Sequence, residues 1–144
     1  MSRDIVHAIE IHADPKAVFD TAGSRSGLAA FWTPDVQGED AEGGELRFGF
    51  REAPVPLRMT VTRLDAPREI EWDCPGDFPG WTGTRVSWSI QSSEHGSKVV
   101  FRHLGFPDDQ PEYDFGSVSL TWALIVARLK EVVEAGGAPN PALS

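Results

Sequence analysis

The sequence has little cysteine and few basic residues. Cys74 is its single cysteine, and 13 basic residues stand against 22 acidic ones. One cysteine cannot build a disulfide framework or a structural zinc site, because both need several ligands, and this scarcity favours a reducing compartment. The formal net charge of -9 repels phosphate backbones and anionic lipid headgroups. Nucleic acid and membrane surfaces are therefore not expected partners, and we predict a cytoplasmic protein.

Long hydrophobic runs are also missing. The most apolar run, LTWALIVARL, is about half as long as a membrane span requires. The N-terminal residues contain no continuous apolar stretch of the kind found in a secretory signal. The chain of 144 residues shows no break in composition, so we predict one domain over residues 1–136 and a flexible C-terminal tail over residues 137–144.

Sequence motifs for catalysis or cofactor binding are absent. No serine lies in a G-x-S-x-G turn, no G-x-G-x-x-G opens a helix, and Gly43-Gly44 is not followed by Lys-Ser or Lys-Thr. His7 and His12 are an odd number of positions apart on one predicted strand, so their side chains lie on opposite faces and cannot share a metal ion. We predict no catalytic residue, no metal site and no cofactor.

The N-terminal third predicts a strand and two short helices. Residues 3–12 alternate between apolar and polar positions, which is typical of a half-buried strand. Asp14 before Pro15 marks the start of a short helix that ends at Gly23. A second helix is predicted over residues 25–31, with Ser24 as its N-cap.

The middle of the chain predicts five more strands, separated by proline and glycine turns. They are ELRFGFR, LRMTVTRL, EIEWDC, TRVSWSI and KVVFRHLGF. Alternation places one apolar residue set on a common face, comprising Leu46, Phe48, Phe50, Leu57, Met59, Val61, Ile70, Trp72, Cys74, Val86, Trp88, Ile90, Val99, Phe101 and His103. The pattern favours an antiparallel meander with one face rich in aromatic residues.

The last segment changes to helical periodicity. Val118, Trp122, Ile125, Leu129 and Val132 recur at steps of three and four residues. A helix from Ser117 to the glycines at 136 and 137 would be roughly 28 Å long, enough to cross a sheet. The predicted fold is α+β: a curved antiparallel sheet of six or seven strands around a long C-terminal helix, with two short helices after strand one.

The aromatic face is the candidate functional site. Aromatic rings usually fill a core, but an apolar cavity with few polar groups is also the usual form of a small-molecule site. We predict that a ligand would contact nine residues, namely Phe31, Trp32, Phe48, Met59, Trp72, Trp88, Phe101, His103 and Trp122. His103 is the candidate for a polar contact, and Trp81 is either part of the rim or a hairpin anchor.

The order of several short motifs resembles a known family. The motifs are IEIHADPKAVFD, FWTPD, GGELRFGF, VTRLDAPREIEWD and GSKVVFRHLGFPDD, followed by Trp122 and Leu129-Lys130. From about Ile5 to Glu134 the chain resembles homologues of the activator of heat-shock protein 90 ATPase, within the START and birch-pollen-allergen-like superfamily. The resemblance implies a helix-grip fold whose cavity opens near the short helices, and it implies no shared catalytic residues.

Two alternatives to ligand binding stay open at this point. Cyclases and related lyases occur on the scaffold that the resemblance implies, and a buried His103 or His7 could act there as a general acid or base. The chain could instead be a protein-interaction module with an acidic surface. A chaperone is an open alternative rather than an expected partner, because the family's eponymous co-factor also engages its chaperone through an N-terminal domain that we do not expect in this protein. A homodimer through an aromatic rim is a further alternative.

Overall fold

The fold is known from a computed structural model, which describes residues 2–76 and 78–144. Its elements in chain order are β1 (Ser2–Ile11), α1 (Pro15–Ala22), α2 (Arg25–Phe31), β2 (Asp35–Gly38), β3 (Glu45–Gly49), β4 (Leu57–Asp65), β5 (Glu69–Cys74), β6 (Thr84–Ser93), β7 (Gly96–Pro107) and α3 (Glu112–Glu134). The seven strands form one antiparallel sheet in the order β1-β7-β6-β5-β4-β3-β2. The predicted α+β helix-grip architecture is confirmed.

None of the helices in the described part of the chain combines the length and hydropathy that crossing a bilayer requires.

The sheet has the face that alternation predicted. Trp88 pairs with Phe101 and Ile70 with Trp88 across neighbouring strands, so these side chains share one surface. Every residue assigned to that face is buried except Phe50, which is half-buried. The sheet packs this face against α3, and the core lies between the two layers.

The two short helices are joined by a close contact. The hydroxyl oxygen of Ser24 accepts a hydrogen bond from the Gly27 amide at 3.1 Å, which is the predicted N-cap of α2. A Cβ atom at Gly27 would lie 1.9 Å from the carbonyl oxygen of Thr21. Position 27 therefore needs glycine because the end of α1 approaches α2 at this point, although glycine weakens a helix by itself.

Two element boundaries differ from the sequence prediction. β2 was not recognised, because it has only four residues, which are half-buried or exposed and carry no apolar alternation. α3 begins at Glu112 rather than Ser117. Its first turn combines Glu112 and Asp114 with Phe115, which packs against the core, but the prolines before it and Gly116 after it gave the segment the composition of a bend. Acidic residues favour a helix N-terminus because they oppose the helix dipole.

The C-terminal tail lies along the end of α2. The amides of Asn140, Ala142 and Leu143 donate to the carbonyl oxygens of Ala30, Phe31 and Trp32 at 2.7, 3.0 and 2.8 Å. The last carbonyls of a helix have no partner within the helix, so the tail supplies the missing donors. The composition APNPALS, on which the prediction of a flexible tail rested, gives no sign of this pairing.

Candidate functional site

The nine predicted ligand contacts are all buried in the centre of the fold. Each is at most 1% exposed to solvent. Their rings pack closely: Trp32 lies 4.3 Å from Phe48 and Phe101 lies 4.3 Å from Trp122 between ring centroids. Trp72 and Trp88 meet edge to face at 6.2 Å. Much of the space between sheet and helix is therefore filled by the aromatic side chains themselves, as expected of a core.

An open groove of about 670 Å³ lies beside this aromatic core. Its walls are formed by the end of α2, residues 117–125 of α3, the β3–β4 connection with the start of β4, the β5–β6 connection and the C-terminal tail. The lining residues are Trp32, Phe50, Glu52, Ala53, Pro54, Leu57, Phe78, Pro79, Trp81, Ser117, Val118, Thr121, Trp122, Ile125, Ala142, Leu143 and Ser144. Of the nine predicted contacts, only Trp32 and Trp122 reach the groove; the other seven lie behind it or away from it.

The groove is apolar and contains little charge. Five aromatic rings contribute to its lining, from Trp32, Phe50, Phe78, Trp81 and Trp122. Glu52 is the one charged side chain among the described lining residues, and none of those residues is basic. The hydroxyl group of Thr121 donates to the carbonyl oxygen of Ser117 at 3.0 Å, so it is already engaged within the helix. The surface suits an uncharged, largely apolar molecule.

His103 is held by a hydrogen-bond chain that fixes its protons. The indole Nε1–H of Trp122 donates to Nδ1 of His103 at 3.0 Å, and Thr84 Oγ1 lies 2.8 Å from Nε2. Because the Thr84 hydroxyl donates to the Trp81 carbonyl oxygen at 2.5 Å, Nε2 must carry the hydrogen that it gives to Thr84. The ring is therefore the neutral Nε2–H tautomer, and both of its nitrogens are occupied.

Burial explains why this histidine stays neutral. His103 has no exposed surface, and the loss of solvent around the ring lowers its pKa to about 3. Its ring packs against Phe106 at 4.3 Å and Trp81 at 4.6 Å between centroids. The sequence predicted a polar contact between His103 and a ligand; in the structure both ring nitrogens are hydrogen-bonded to protein groups.

Neither of the other reactive candidates lies in the groove. His7 donates from Nε2 to the carbonyl oxygen of Ser119 at 3.1 Å, which ties β1 to α3. Cys74 is buried, and the loss of solvent raises the pKa of its thiol, so the less reactive thiol form predominates at neutral pH. No three His, Cys, Asp or Glu side chains within residues 2–76 and 78–144 come together as a metal site requires.

Sequence reasoning missed most of the groove walls. Val118 and Ile125 belong to the recognised stripe of α3, but periodicity does not say which part of a stripe is covered by the sheet and which borders an opening. Phe78 and the proline-rich segment of residues 53–56 lie in connections whose path no pattern predicted. Trp81 was identified as a candidate rim residue, and it lines the groove.

The comparisons with known proteins agree with this architecture. The sequence pattern described as Activator of Hsp90 ATPase homolog 1-like protein matches residues 12–134. The solution structure of the Aha1 dimer from Colwellia psychrerythraea is 25% identical and has a TM-score of 0.82, with 93% of this chain and 98% of that one covered. No curated protein matches the chain.

Two further solved structures are similar in fold. A Mesorhizobium loti protein has a TM-score of 0.79 at 15% identity, over 92% of this chain and 98% of its own. A Staphylococcus saprophyticus protein has a TM-score of 0.77 at 17% identity, with 98% of both chains covered. At such low identity these two likenesses concern the fold alone.

Proposed function

We propose that this chain, which belongs to the Activator of Hsp90 ATPase homolog 1-like protein family, binds one small apolar or aromatic molecule in the groove beside α3. The observation that carries the proposal is the groove itself: about 670 Å³ of space lined by five aromatic rings. Small-molecule sites typically measure about 300–1,000 Å³ and are mostly apolar. The ligand would lie against Trp32, Trp81 and Trp122, next to the filled core.

The charge of the groove limits the class of ligand. Recognition of a carboxylate or phosphate normally uses Arg or Lys, and none of the described lining residues is basic. Glu52 would repel an anion further, as would the formal net charge of -9. We therefore expect neutral ligands to bind better than anionic molecules of the same size.

Blocking the groove should weaken the binding of a neutral fluorescent probe. Thr121 lines the groove from α3, so the larger ring of Thr121→Trp would occupy the space that a ligand needs. We expect wild-type protein to bind N-phenyl-1-naphthylamine with one site per chain. The Thr121→Trp variant should bind it at least about tenfold more weakly, a loss of about 1.4 kcal/mol. Fluorescence titration measures both affinities.

A matched substitution controls for the added tryptophan. Ala127 is exposed on the same helix and does not line the groove, so Ala127→Trp should keep the affinity of the wild type. Equal affinity of Thr121→Trp and wild type would place the probe elsewhere and contradict the proposal. The absence of any binding of neutral aromatic probes to the wild type would also contradict it.

We also propose that the protein forms a homodimer through the exposed face of α3. Tyr113, Leu120 and Leu124 are 85%, 65% and 58% exposed, and their spacing of seven and four residues places them on one side of the helix. We call these three residues the outer stripe. Residues 115–127 are the longest stretch of the chain without a charged side chain. Two acidic proteins could approach each other here with the least repulsion.

A two-fold axis suits the outer stripe. In an isologous dimer the same patch from each copy meets across the axis, so Leu120 of one copy would pack against Leu124 of the other in an antiparallel helix pair. The Colwellia psychrerythraea structure, with a TM-score of 0.82, is described as a dimer. That description supports the dimer for this chain, and the outer stripe is our inference for its location.

Charges in the outer stripe should separate the two copies. The double variant Leu120→Lys and Leu124→Lys places like charges opposite each other at the proposed axis, and we expect it to sediment as a monomer while the wild type sediments as a dimer. Val6→Lys is the control, since Val6 is 57% exposed and lies on β1 outside the stripe. A monomeric wild type, or a dimer that survives the double substitution, would contradict this interface.

A further inference from the structure

The indole nitrogen of Trp32 is a hydrogen-bond donor without a partner. Its Nε1 atom is buried and contacts no acceptor within residues 2–76 and 78–144, although Trp32 as a whole is only 1% exposed. An indole N–H can donate but cannot accept. A buried donor that has lost its water and gained no acceptor carries an uncompensated desolvation cost.

Trp32 differs from Trp88 and Trp122 in combining an unpartnered indole nitrogen with a position in the groove wall. The Nε1–H of Trp122 donates to His103, so that donor is satisfied. Trp88 Nε1 also has no partner, but Trp88 packs against Phe101 at 4.8 Å in the core and does not line the groove. Within the described part of the chain, Trp32 is the one groove-lining residue with an unpartnered buried polar side-chain atom.

Three other polar groups in the groove walls are already engaged. Its carbonyl oxygen accepts a hydrogen bond from the Leu143 amide, and the Thr121 hydroxyl donates to the Ser117 carbonyl oxygen. The carbonyl oxygen of Trp81 on the opposite wall accepts from Thr84. Trp32 lines the groove, but its Nε1 atom has almost no exposed surface, so an acceptor in the groove reaches this uncommitted donor only when a neighbouring side chain shifts.

We propose that the natural ligand presents an uncharged oxygen acceptor, such as a ketone, quinone or ether oxygen, to Nε1 of Trp32. This inference rests on the proposed function and makes it more specific, because it distinguishes an oxygenated apolar molecule from a hydrocarbon. A carboxylate is a poorer match than a ketone, since Glu52 borders the same space and none of the described lining residues is basic. The rings of Trp32, Trp81 and Trp122 would contact the ligand's apolar body.

Two probes of the same shape test the acceptor. In 2-acetylnaphthalene the carbonyl oxygen stands where 2-isopropenylnaphthalene has a CH₂ group, so the pair differs by a single acceptor. The affinity ratio of ketone to hydrocarbon is measured by calorimetric or fluorescence titration in wild type and in Trp32→Phe, which keeps a ring and removes the donor. Because differences in aqueous solubility are common to both proteins, they cancel. We expect the ratio to fall about tenfold in Trp32→Phe, as loss of one buried hydrogen bond predicts.

Trp88→Phe is the matched control. It also removes an unpartnered indole donor, but from a residue outside the groove, so the ratio should stay at the wild-type value. 2-Naphthoate, the anion of similar size, should bind the wild type more weakly than the ketone. An unchanged ratio in Trp32→Phe would overturn the acceptor inference while leaving groove binding in place. Failure of both neutral probes to bind the wild type would overturn the proposed groove binding together with the acceptor inference.

A measurement on the wild type keeps the inference testable if Trp32→Phe does not fold. The indole N–H signal of Trp32 in a ¹⁵N–¹H correlation spectrum should move downfield when the ketone is added and much less when the hydrocarbon is added. Equal shifts with the two probes would show that the N–H group donates to neither, and would overturn the inference.

Discussion

Replacement of Trp122 by alanine is expected to lower the free energy of unfolding by about 3–5 kcal/mol, the usual cost of truncating a buried tryptophan. The ring lies 4.3 Å from Phe101, 4.9 Å from Trp32 and 5.8 Å from Trp81 between centroids, so its loss leaves a cavity bordered by both the sheet and the groove. It also removes the donor to Nδ1 of His103. Typical domains have only about 5–15 kcal/mol in total, so a large part of the stability would be lost.

Urea unfolding at neutral pH checks this expectation. Trp122→Phe separates the two contributions, because it keeps an aromatic ring in the core and removes the hydrogen bond to His103; we expect it to cost less than the alanine variant. Ser92→Ala is the surface control, because Ser92 is exposed on β6 outside the groove and the outer stripe; the expected change is within about 0.5 kcal/mol. A loss below about 1 kcal/mol for Trp122→Ala would show that α3 does not depend on this side chain for its packing.

Acidification from pH 7 to pH 5 is expected to remove about 2 kcal/mol of stability through His103 alone. The folded protein keeps the ring neutral down to its pKa of about 3, whereas a solvated histidine in the unfolded chain binds a proton below about pH 6.5. The unfolded state thus binds more protons between these values, and stability falls by about 1.4 kcal/mol for each pH unit below 6.5. Above about pH 6.5 the histidine is neutral in both the folded and the unfolded state, so its contribution to the free energy of unfolding no longer changes with pH.

The slope of stability against pH is the decisive measurement. Unfolding free energies at pH 7, 6 and 5 should decrease in the wild type, and the decrease should be much smaller in His103→Gln, which cannot be protonated. His95→Gln is the control, because His95 is exposed and the substitution should leave the wild-type slope. The pKa of Glu134 is lowered by the hydrogen bond from the His12 amide and by Lys130; the stability that this carboxylate contributes is therefore lost only when it is protonated, below the lowest of these pH values. Equal slopes in wild type and His103→Gln would rule out the buried histidine as the cause.

The fold was largely predictable because its strongest signals are local. Alternation at positions such as Trp72 and Trp88 requires one face of the sheet to be apolar, and a helical stripe through Trp122 supplies a long element able to cover it. β2 escaped prediction because pairing with β3, rather than its own sequence, makes it a strand. Gly27 looked unfavourable for a helix, and only the approach of Thr21 explains it.

The site was less predictable, because an inward-pointing residue is not necessarily a ligand contact. Periodicity correctly indicated that Phe48 and Phe101 point inward, but it cannot tell whether the facing volume is empty or filled by another ring. The opening depends instead on where the connection containing Phe78 and the C-terminal tail come to rest. His103 illustrates the same limit: its burial could be predicted, whereas its two hydrogen-bond partners come from two separate elements, β6 and α3.

The hydrogen-bond chain through His103 has a consequence for the kinetics with which the proposed ligand would enter the groove. It runs from the Trp122 indole through His103 and the Thr84 hydroxyl to the carbonyl oxygen of Trp81, and so it fastens one wall of the groove to the helix that forms another. Swinging Trp81 outward would break this chain and leave buried polar groups without partners, a costly event. These two walls are thus preorganised, and the ligand need not order them on arrival. Association should accordingly be limited by diffusion and orientation rather than by the opening of this wall.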